Sequence, residues 1–187
     1  ISGKTYEGPK GNILSLKPEI TPPYYLSLSA GDYRSATVST SIPSDIRGCE
    51  IFRSTNEKKG YKKVATTNTG FYLDKSLQIG KTYYYKVRHY IMQGKKRKYS
   101  RFTKPYSYTP GLAAPQNATA HPAASSHIRI SWDKTAGAAG YEVLRADSYS
   151  GSYKLLKSVS KLSYVDTKAG KDVYRYYKVR PYRKVKG

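Results

Sequence analysis

Apolar and polar residues alternate with a period of two along much of this chain. The alternation is clear in residues 83–88, 127–132 and 141–145, and it is typical of half-buried β-strands. No stretch carries a sustained apolar stripe with the 3.6-residue period of a helix. Turn-forming stretches such as Asn68 to Gly70 and Ser148 to Gly151 separate the alternating segments. The pattern therefore predicts an all-β protein built from short strands.

The alternating segments belong to an internal repeat of 92 residues. The sequence Tyr-Tyr-Lys-Val-Arg occurs at residues 84–88 and again at 176–180, and 176 minus 84 gives the offset. Short strands at regular spacing are typical of a β-sandwich, so each repeat predicts one sandwich. Further identical residues at the same offset are Gly48 and Gly140, Glu50 and Glu142, Arg53 and Arg145, Tyr61 and Tyr153, and Asp74 and Asp166.

The repeat also predicts how the chain is divided. At the offset of 92, residues 15–18 fall on residues 107–110, so the N-terminal stretch matches the end of a unit rather than its beginning. The second unit stops before the corresponding stretch is reached. The predicted parts are residues 1–21 as the last strand of a preceding unit or a donor strand, residues 22–110 as the first unit, and residues 111–187 as a second unit without its last strand.

The sequence of the second unit resembles that of a fibronectin type III module. The resemblance rests on Ser131-Trp132, residues 138–145, Tyr153-Lys154, residues 164–166 and residues 176–180. It is closest to the modules of bacterial, Gram-positive-like secreted and cell-surface proteins. The resemblance implies tandem seven-stranded, immunoglobulin-like β-sandwiches, and it covers nearly the whole chain. Such modules are commonly strung between catalytic, adhesive and wall-anchoring domains, which implies a secreted or cell-wall location and the other domains of the same polypeptide as partners.

The resemblance also implies structural roles for single residues. Trp132 corresponds to the buried core tryptophan of the family, and Tyr83 to a corner tyrosine whose hydroxyl is tied to the backbone upstream. Tyr174 is the expected corner tyrosine of the second unit. The first unit has Thr40 where the second has Trp132, so its core is expected to be less well filled.

Charge changes this picture, because 34 Lys and Arg residues against 12 Asp and Glu give a net charge of +22. A field of this strength favours contact with polyanions. Lys86 and Arg88 alternate with the core position Val87, as Lys178 and Arg180 do with Val179, which predicts a basic stripe on the outer face of one sheet. The alternative is a solvated face that discourages strand pairing. The candidate polyanion contacts are Lys86, Arg88, Lys95, Lys96, Arg97, Lys98, Lys178, Arg180, Arg183, Lys184 and Lys186.

Candidate chemistry is sparse. The single cysteine, Cys49, excludes an intrachain disulfide and is expected to face inward as an inert thiol. Asp74 and Asp166 are interpreted as turn caps, since equivalent positions in different units give no reason to expect the close carboxylate pair that glycoside hydrolysis needs. No cofactor or metal is predicted, and an enzyme is the least favoured class. The three histidines lack metal-ligand spacing: His89, His121 and His127.

Three functions follow from these observations. The first is a structural spacer, in which the short, proline-bounded linker at 110–115 makes the junction semi-rigid. The second is an adhesive module that binds an anionic cell-wall polymer or acidic glycan. The third is a strand-donating subunit, in which residues 13–16 pair with residues 176–180 of another chain. Nucleic acid is disfavoured because no RNA-recognition signature is present, and no apolar run is long enough for membrane insertion.

Overall fold

The computed structural model describes Gly8, Gly11 and residues 19–124 and 126–184. Every regular element in this part of the chain is a β-strand, and none of it forms a helix long and apolar enough to cross a membrane. The strands fall into two groups, at residues 26–108 and 119–182. The unit boundaries at 22–110 and 111–187 stay a prediction, and the predicted strand within residues 1–21 lies largely outside the described residues.

The first group of strands forms two antiparallel sheets. One sheet has the order β1-β2-β5, and the other has the order β4-β3-β6-β7, with β8 also paired to β6. The backbone N–H groups of Ser100 and Thr103, between β7 and β8, donate to the carbonyls of His89 and Val87 on β6. The pairing with β6 thus continues from β7 to β8, so these two strands are parts of one last strand. The strands are Leu26–Ala30 (β1), Ala36–Thr40 (β2), Gly48–Ser54 (β3), Lys62–Thr67 (β4), Phe71–Asp74 (β5), Tyr83–Gln93 (β6), Lys96–Tyr99 (β7) and Tyr106–Tyr108 (β8).

The second group repeats the arrangement without the last strand. Its sheets have the orders β13-β10-β9 and β12-β11-β14, and β14 pairs only with β11 among the described residues. A break in strand register recurs at the same repeat position, between Ile51 and Phe52 and between Val143 and Leu144. The strands are Thr119–Ala124 (β9), His127–Ser131 (β10), Gly140–Ala146 (β11), Lys154–Val159 (β12), Ser163–Asp166 (β13) and Tyr176–Tyr182 (β14). The prediction of tandem seven-stranded sandwiches, the second without its last strand, is confirmed for this part of the chain.

Each pair of sheets encloses its own apolar core. Trp132 is 4% exposed and packs against Tyr141, with ring centroids 5.4 Å apart. Val179 packs at the edge of the same cluster. The expectation of a poorly filled first core is wrong, since eight buried residues form its cluster against four in the second. The first cluster is Ala36, Val38, Cys49, Ile51, Leu77, Tyr83, Tyr85 and Val87.

The corner that joins the two sheets differs between the units. In the first, the Tyr83 hydroxyl accepts a hydrogen bond from the Gln78 backbone N–H at 3.0 Å. In the second, Tyr174 is 87% exposed, so its prediction as the corner tyrosine is wrong. Arg175 stands at the repeat position of Tyr83, and its Nε donates to the Ala169 carbonyl at 2.8 Å. A guanidinium thus replaces the phenol as the group that ties this corner to the backbone.

Contacts at the junction link the two units. The Gly80 N–H donates to the carbonyl of Pro110 at 2.9 Å, which ties the linker to the first unit. The ring of Tyr33 lies on Gly137, where a Cβ would be 2.5 Å from ring carbons and where φ is +81°. Arg183 donates to the Gly137 carbonyl at 3.0 Å, and its guanidinium lies 5.8 Å from the Tyr33 ring centroid. Only glycine fits at position 137 without displacing this ring.

Candidate functional site

A buried polar group connects the two sheets of the first unit. Arg53 on β3 and Asp74 on β5 form an ion pair of 2.6 Å between Nη1 and Oδ2. The Tyr85 hydroxyl on β6 donates to the same carboxylate at 2.9 Å. Asp74 also accepts a hydrogen bond from the Ser76 N–H at 3.2 Å, as a turn cap does. Asp74 also connects the two sheets, which turn capping alone does not do.

The second unit repeats this group at the offset of 92 residues. Arg145 Nη1 on β11 lies 2.9 Å from Asp166 Oδ2 on β13, and the Tyr177 hydroxyl on β14 donates to that oxygen at 2.9 Å. The Lys168 N–H donates to the other carboxylate oxygen at 3.0 Å. Arginine, aspartate and tyrosine therefore form the same inter-sheet clamp in both sandwiches.

The clamp holds its groups in fixed protonation states. Burial acts to raise the pKa of Asp166, but hydrogen bonds from Tyr177 and Arg145 outweigh it and lower the pKa. Burial and the hydrogen bond to Asp166 raise the pKa of Tyr177, and burial and the Asp74 charge raise the pKa of Tyr85. At neutral pH Asp166 is a carboxylate, and Tyr85 and Tyr177 are neutral. Protonation states that do not change near neutral pH suit a clamp that connects the two sheets.

Glu50 is the centre of a second polar group, on the outer face of the larger first-unit sheet. Its side chain is 1% exposed and contacts Lys63 Nζ at 3.0 Å, Arg88 Nη2 at 2.8 Å and Arg97 Nη1 at 3.2 Å. Burial acts to raise the pKa of Glu50, but hydrogen bonds from Arg88 and Lys63 lower it. Two of the predicted polyanion contacts, Arg88 and Arg97, therefore share an internal counter-ion.

Aromatic rings also contact two basic groups of this face. Lys86 Nζ lies 4.2 Å from the ring centroid of Tyr61 and 4.4 Å from that of Phe102. The Arg88 guanidinium lies 3.7 Å from the Tyr99 ring centroid. These are cation–π distances. The outer face is thus a packed layer of rings and cations rather than a free basic stripe.

The second unit has a thinner version of this layer. Arg180 Nε donates to Glu142 Oε2 at 2.7 Å, repeating the pair of Glu50 and Arg88. Lys178 Nζ lies 4.0 Å from the Tyr153 ring centroid. The Arg180 side chain is 67% exposed against 25% for Arg88, because no strand beyond β14 covers it among the described residues.

The basic hairpin between β6 and β7 presents its charges on two faces. Gly94, with φ of +60°, forms the turn together with Lys95. Side chains alternate along β7, so Lys96 and Lys98 point away from the face on which Arg97 reaches Glu50. Lys95, Lys96 and Lys98 are exposed and form no ion pair with a described residue. The hairpin tip is therefore one part of the predicted basic surface that stays open to a ligand.

The structure accordingly divides the predicted polyanion contacts. They do not form one stripe, because internal carboxylates, rings and a carbonyl already engage more than half of them. Lys184 is exposed, and Lys186 lies outside the described residues. The engaged residues are Lys86, Arg88, Arg97, Lys178, Arg180 and Arg183.

Cys49 and His89 are buried next to each other on paired strands. Burial and the charge of Glu50 raise the pKa of the Cys49 thiol to about 11, so it is a poor nucleophile at neutral pH. The two ring nitrogens of His89 lie 2.8 Å from the Thr21 carbonyl and 2.7 Å from the Ser41 carbonyl. His89 thus ties the entry of the first unit to the residue that follows β2. No group of three potential metal ligands occurs in the described residues.

Two features of the structure were not predicted from the sequence. Sequence analysis identified Glu50 and Arg88 as repeated residues but not as partners; their recurrence as Glu142 and Arg180 on adjacent strands was the available signal. It also missed Tyr33 at the junction. No repeat marks Tyr33, so the sequence carried no signal for it.

Of the comparisons with known proteins, one supports the fold described above. No protein-family model and no curated protein matches the sequence. Among solved structures, the chain is similar to a segment of two fibronectin type III domains from chicken tenascin, with a TM-score of 0.50, 12% identity, and coverage of 85% of this chain and 90% of that one. It is also similar to the FN1-FN3 domains of chicken CNTN1, with a TM-score of 0.41, 16% identity and coverage of 87% of this chain; it spans 62% of the length of that structure. The tenascin likeness shows that the fold is a tandem of fibronectin type III-like sandwiches.

Proposed function

We propose that this chain is a non-catalytic structural spacer in a secreted or cell-surface multidomain protein, of the kind built from bacterial fibronectin type III-like modules. Its partners are the other domains of the same polypeptide. A spacer needs units that keep their shape and junctions that limit bending. The inter-sheet clamps of Arg53 with Asp74 and Arg145 with Asp166 support the first requirement.

The contact of Tyr33 with Gly137 carries the proposal. The ring lies against a backbone that has no side chain of its own, and Arg183 donates a hydrogen bond to the carbonyl of that glycine. The hydrogen bond from Gly80 to Pro110 fixes the start of the linker. With few freely rotating bonds left between these anchors, the linker acts as a stiff connection rather than as a flexible coil.

Small-angle X-ray scattering tests the proposal directly. The parent chain is expected to give a scattering profile that one conformation fits, whereas Tyr33→Ser requires an ensemble of bent conformations. Tyr24→Ser is the matched control, since Tyr24 is 81% exposed in the same unit, and it is expected to scatter like the parent. A parent profile that itself requires an ensemble contradicts the spacer function.

A second candidate is an adhesive module that binds an anionic cell-wall polymer or acidic glycan. The net charge of +22 and the open lysines of the hairpin tip, Lys95, Lys96 and Lys98, favour it. Strand donation stays a prediction, because the donor residues 13–16 lie outside the described residues.

A further inference from the structure

A cleft of about 670 Å³ opens at the junction of the two units. Its first-unit wall comes from the turn after β1 and from the loop before β6, and its second-unit wall comes from the residue after β14. Tyr33, Arg34, Gln78, Lys81 and Arg183 line it. Three segments that are distant in sequence thus place three cationic side chains around one space.

The cations of the cleft differ from those of the outer sheet face. Arg88 and Arg97 share the buried carboxylate of Glu50, whereas no Asp or Glu among the described residues lines the cleft. Neither Arg34 nor Lys81 forms an ion pair within the part of the chain that the structure describes. Like charges held around one cleft raise the local concentration of anions.

One acid, Asp32, offsets part of this charge, since Coulomb attraction to Arg34 is among the smaller causes that lower the pKa of Asp32. The nearest acid in sequence, Asp32, accepts hydrogen bonds from the Arg34 backbone N–H at 2.7 Å and from the Ser35 hydroxyl at 2.9 Å. These bonds lower the pKa of Asp32 and hold its carboxylate in its own turn. Arg183 contacts a neutral carbonyl and the Tyr33 ring, so its charge has no acidic partner there.

The polar lining favours a sugar over a nucleic-acid base. Gln78 offers an amide that can both donate to and accept from hydroxyl groups. Stacking of a base requires an open aromatic face, but Gly137 and Arg183 already lie against the Tyr33 ring. Guanidinium groups bind carboxylate and sulfate groups through paired hydrogen bonds.

We propose that this cleft binds an acidic oligosaccharide. Arg34, Lys81 and Arg183 contact its carboxylate or sulfate groups, and Gln78 contacts its hydroxyls. Because the ligand touches both units, its binding stiffens the junction further. The inference goes beyond the spacer role, since a spacer needs no ligand.

Titration calorimetry with defined probes tests the inference. The probes are a heparin-derived hexasaccharide for sulfate, a galacturonate hexamer for carboxylate, a neutral maltohexaose and a single-stranded DNA hexamer. The triple variant Arg34→Ser, Lys81→Ser, Arg183→Ser is expected to raise the Kd for the preferred acidic sugar at least tenfold. The matched control Lys154→Ser, Lys157→Ser, Lys161→Ser removes the same charge from exposed positions and is expected to change it less than threefold.

A second variant separates the loss of ligand contacts from a change in the junction itself, which replacing Arg183 could cause. The double variant Arg34→Ser, Lys81→Ser leaves the contacts of Arg183 in place. It is expected to raise log Kd for the acidic sugar by at least half as much as the triple variant does. Equal losses in the cleft and control variants, or tighter binding of the DNA hexamer than of either acidic sugar, would overturn the inference. The outcome is independent of the Tyr33→Ser scattering experiment, because that variant retains all three cations of the cleft.

Discussion

Arg53 and Asp74 lie in opposite sheets of the first sandwich and form an ion pair of 2.6 Å. Arg145 and Asp166 do the same in the second at 2.9 Å. The aspartates are 1% and 2% exposed, so each pair acts where water competes little. Removing one partner of such a pair leaves a charge without its counter-ion, which destabilises a fold more than loss of a surface pair does.

Asp166→Asn is therefore expected to lower the free energy of unfolding of the second unit by about 2 kcal/mol. Trp132 is the only tryptophan and lies in that unit's core, so its fluorescence in a urea titration reports the second unit alone. Asp74→Asn, the equivalent change in the first unit, is the matched control and should leave the Trp132 transition in place. A shift of similar size with both variants would show that the units unfold together.

The shifted pKa of Asp166 allows a prediction of how the stability of the second unit depends on pH. The pKa of Asp166 is lowered in the folded state, whereas an unfolded aspartate titrates at about 3.9. The stabilisation is therefore complete above that value and is lost as pH falls through the folded pKa. Urea midpoints from Trp132 fluorescence should fall between pH 5 and pH 2 more steeply in the parent than in Asp166→Asn. Parallel pH profiles would contradict this role of Asp166.

Cys49 offers a reporter for the first unit. With burial raising its pKa to about 11, only about one thiol in a thousand is ionised at pH 8. As the only cysteine, it should react with a disulfide reagent at least a hundred times more slowly in the folded chain than in urea. Asp74→Asn should speed this reaction, and Asp166→Asn should not. Fast labelling of the folded parent would show that the thiol is accessible.

Substitutions at the hairpin tip test whether the chain is instead a polyanion-binding module. Lys95→Ser, Lys96→Ser, Lys98→Ser together should elute from a sulfated-polysaccharide column at clearly lower salt than the parent, because exposed charges interact through screened Coulomb forces. The variant Lys154→Ser, Lys157→Ser, Lys161→Ser removes equal charge and should elute closer to the parent. Identical elution of the two variants would mean that net charge, rather than the hairpin, governs retention.

Much of the fold was predictable because the same strand pattern occurs in both units of the repeat. Strand alternation indicated the sandwiches, and the offset of 92 paired Arg53 with Arg145 and Asp74 with Asp166. The sequence did not show that these residues meet, since they lie 21 positions apart on strands of different sheets. Contacts across a sandwich depend on how the sheets pack, which periodicity along one strand does not describe.

The charged surface was predicted less well. Alternation placed Arg88 on an outer face, but it could not show that Glu50 and Tyr99 would cover it. Tyr174 was expected to be the corner tyrosine of the second unit. The repeat offset of 92, counted from Tyr83, instead gives Arg175. A guanidinium and a phenol satisfy the same corner by different hydrogen bonds, so residue type was a misleading guide there.

The spacer account is tested most directly by the distribution of distances between the units. Spin labels at Lys58→Cys and Lys161→Cys, both exposed positions, would be measured by double electron–electron resonance, with the buried Cys49 replaced by alanine. The account predicts one narrow distribution for this doubly labelled chain, a broad one after addition of Tyr33→Ser, and an unchanged one after addition of Tyr24→Ser. A broad distribution before Tyr33 is changed would contradict it.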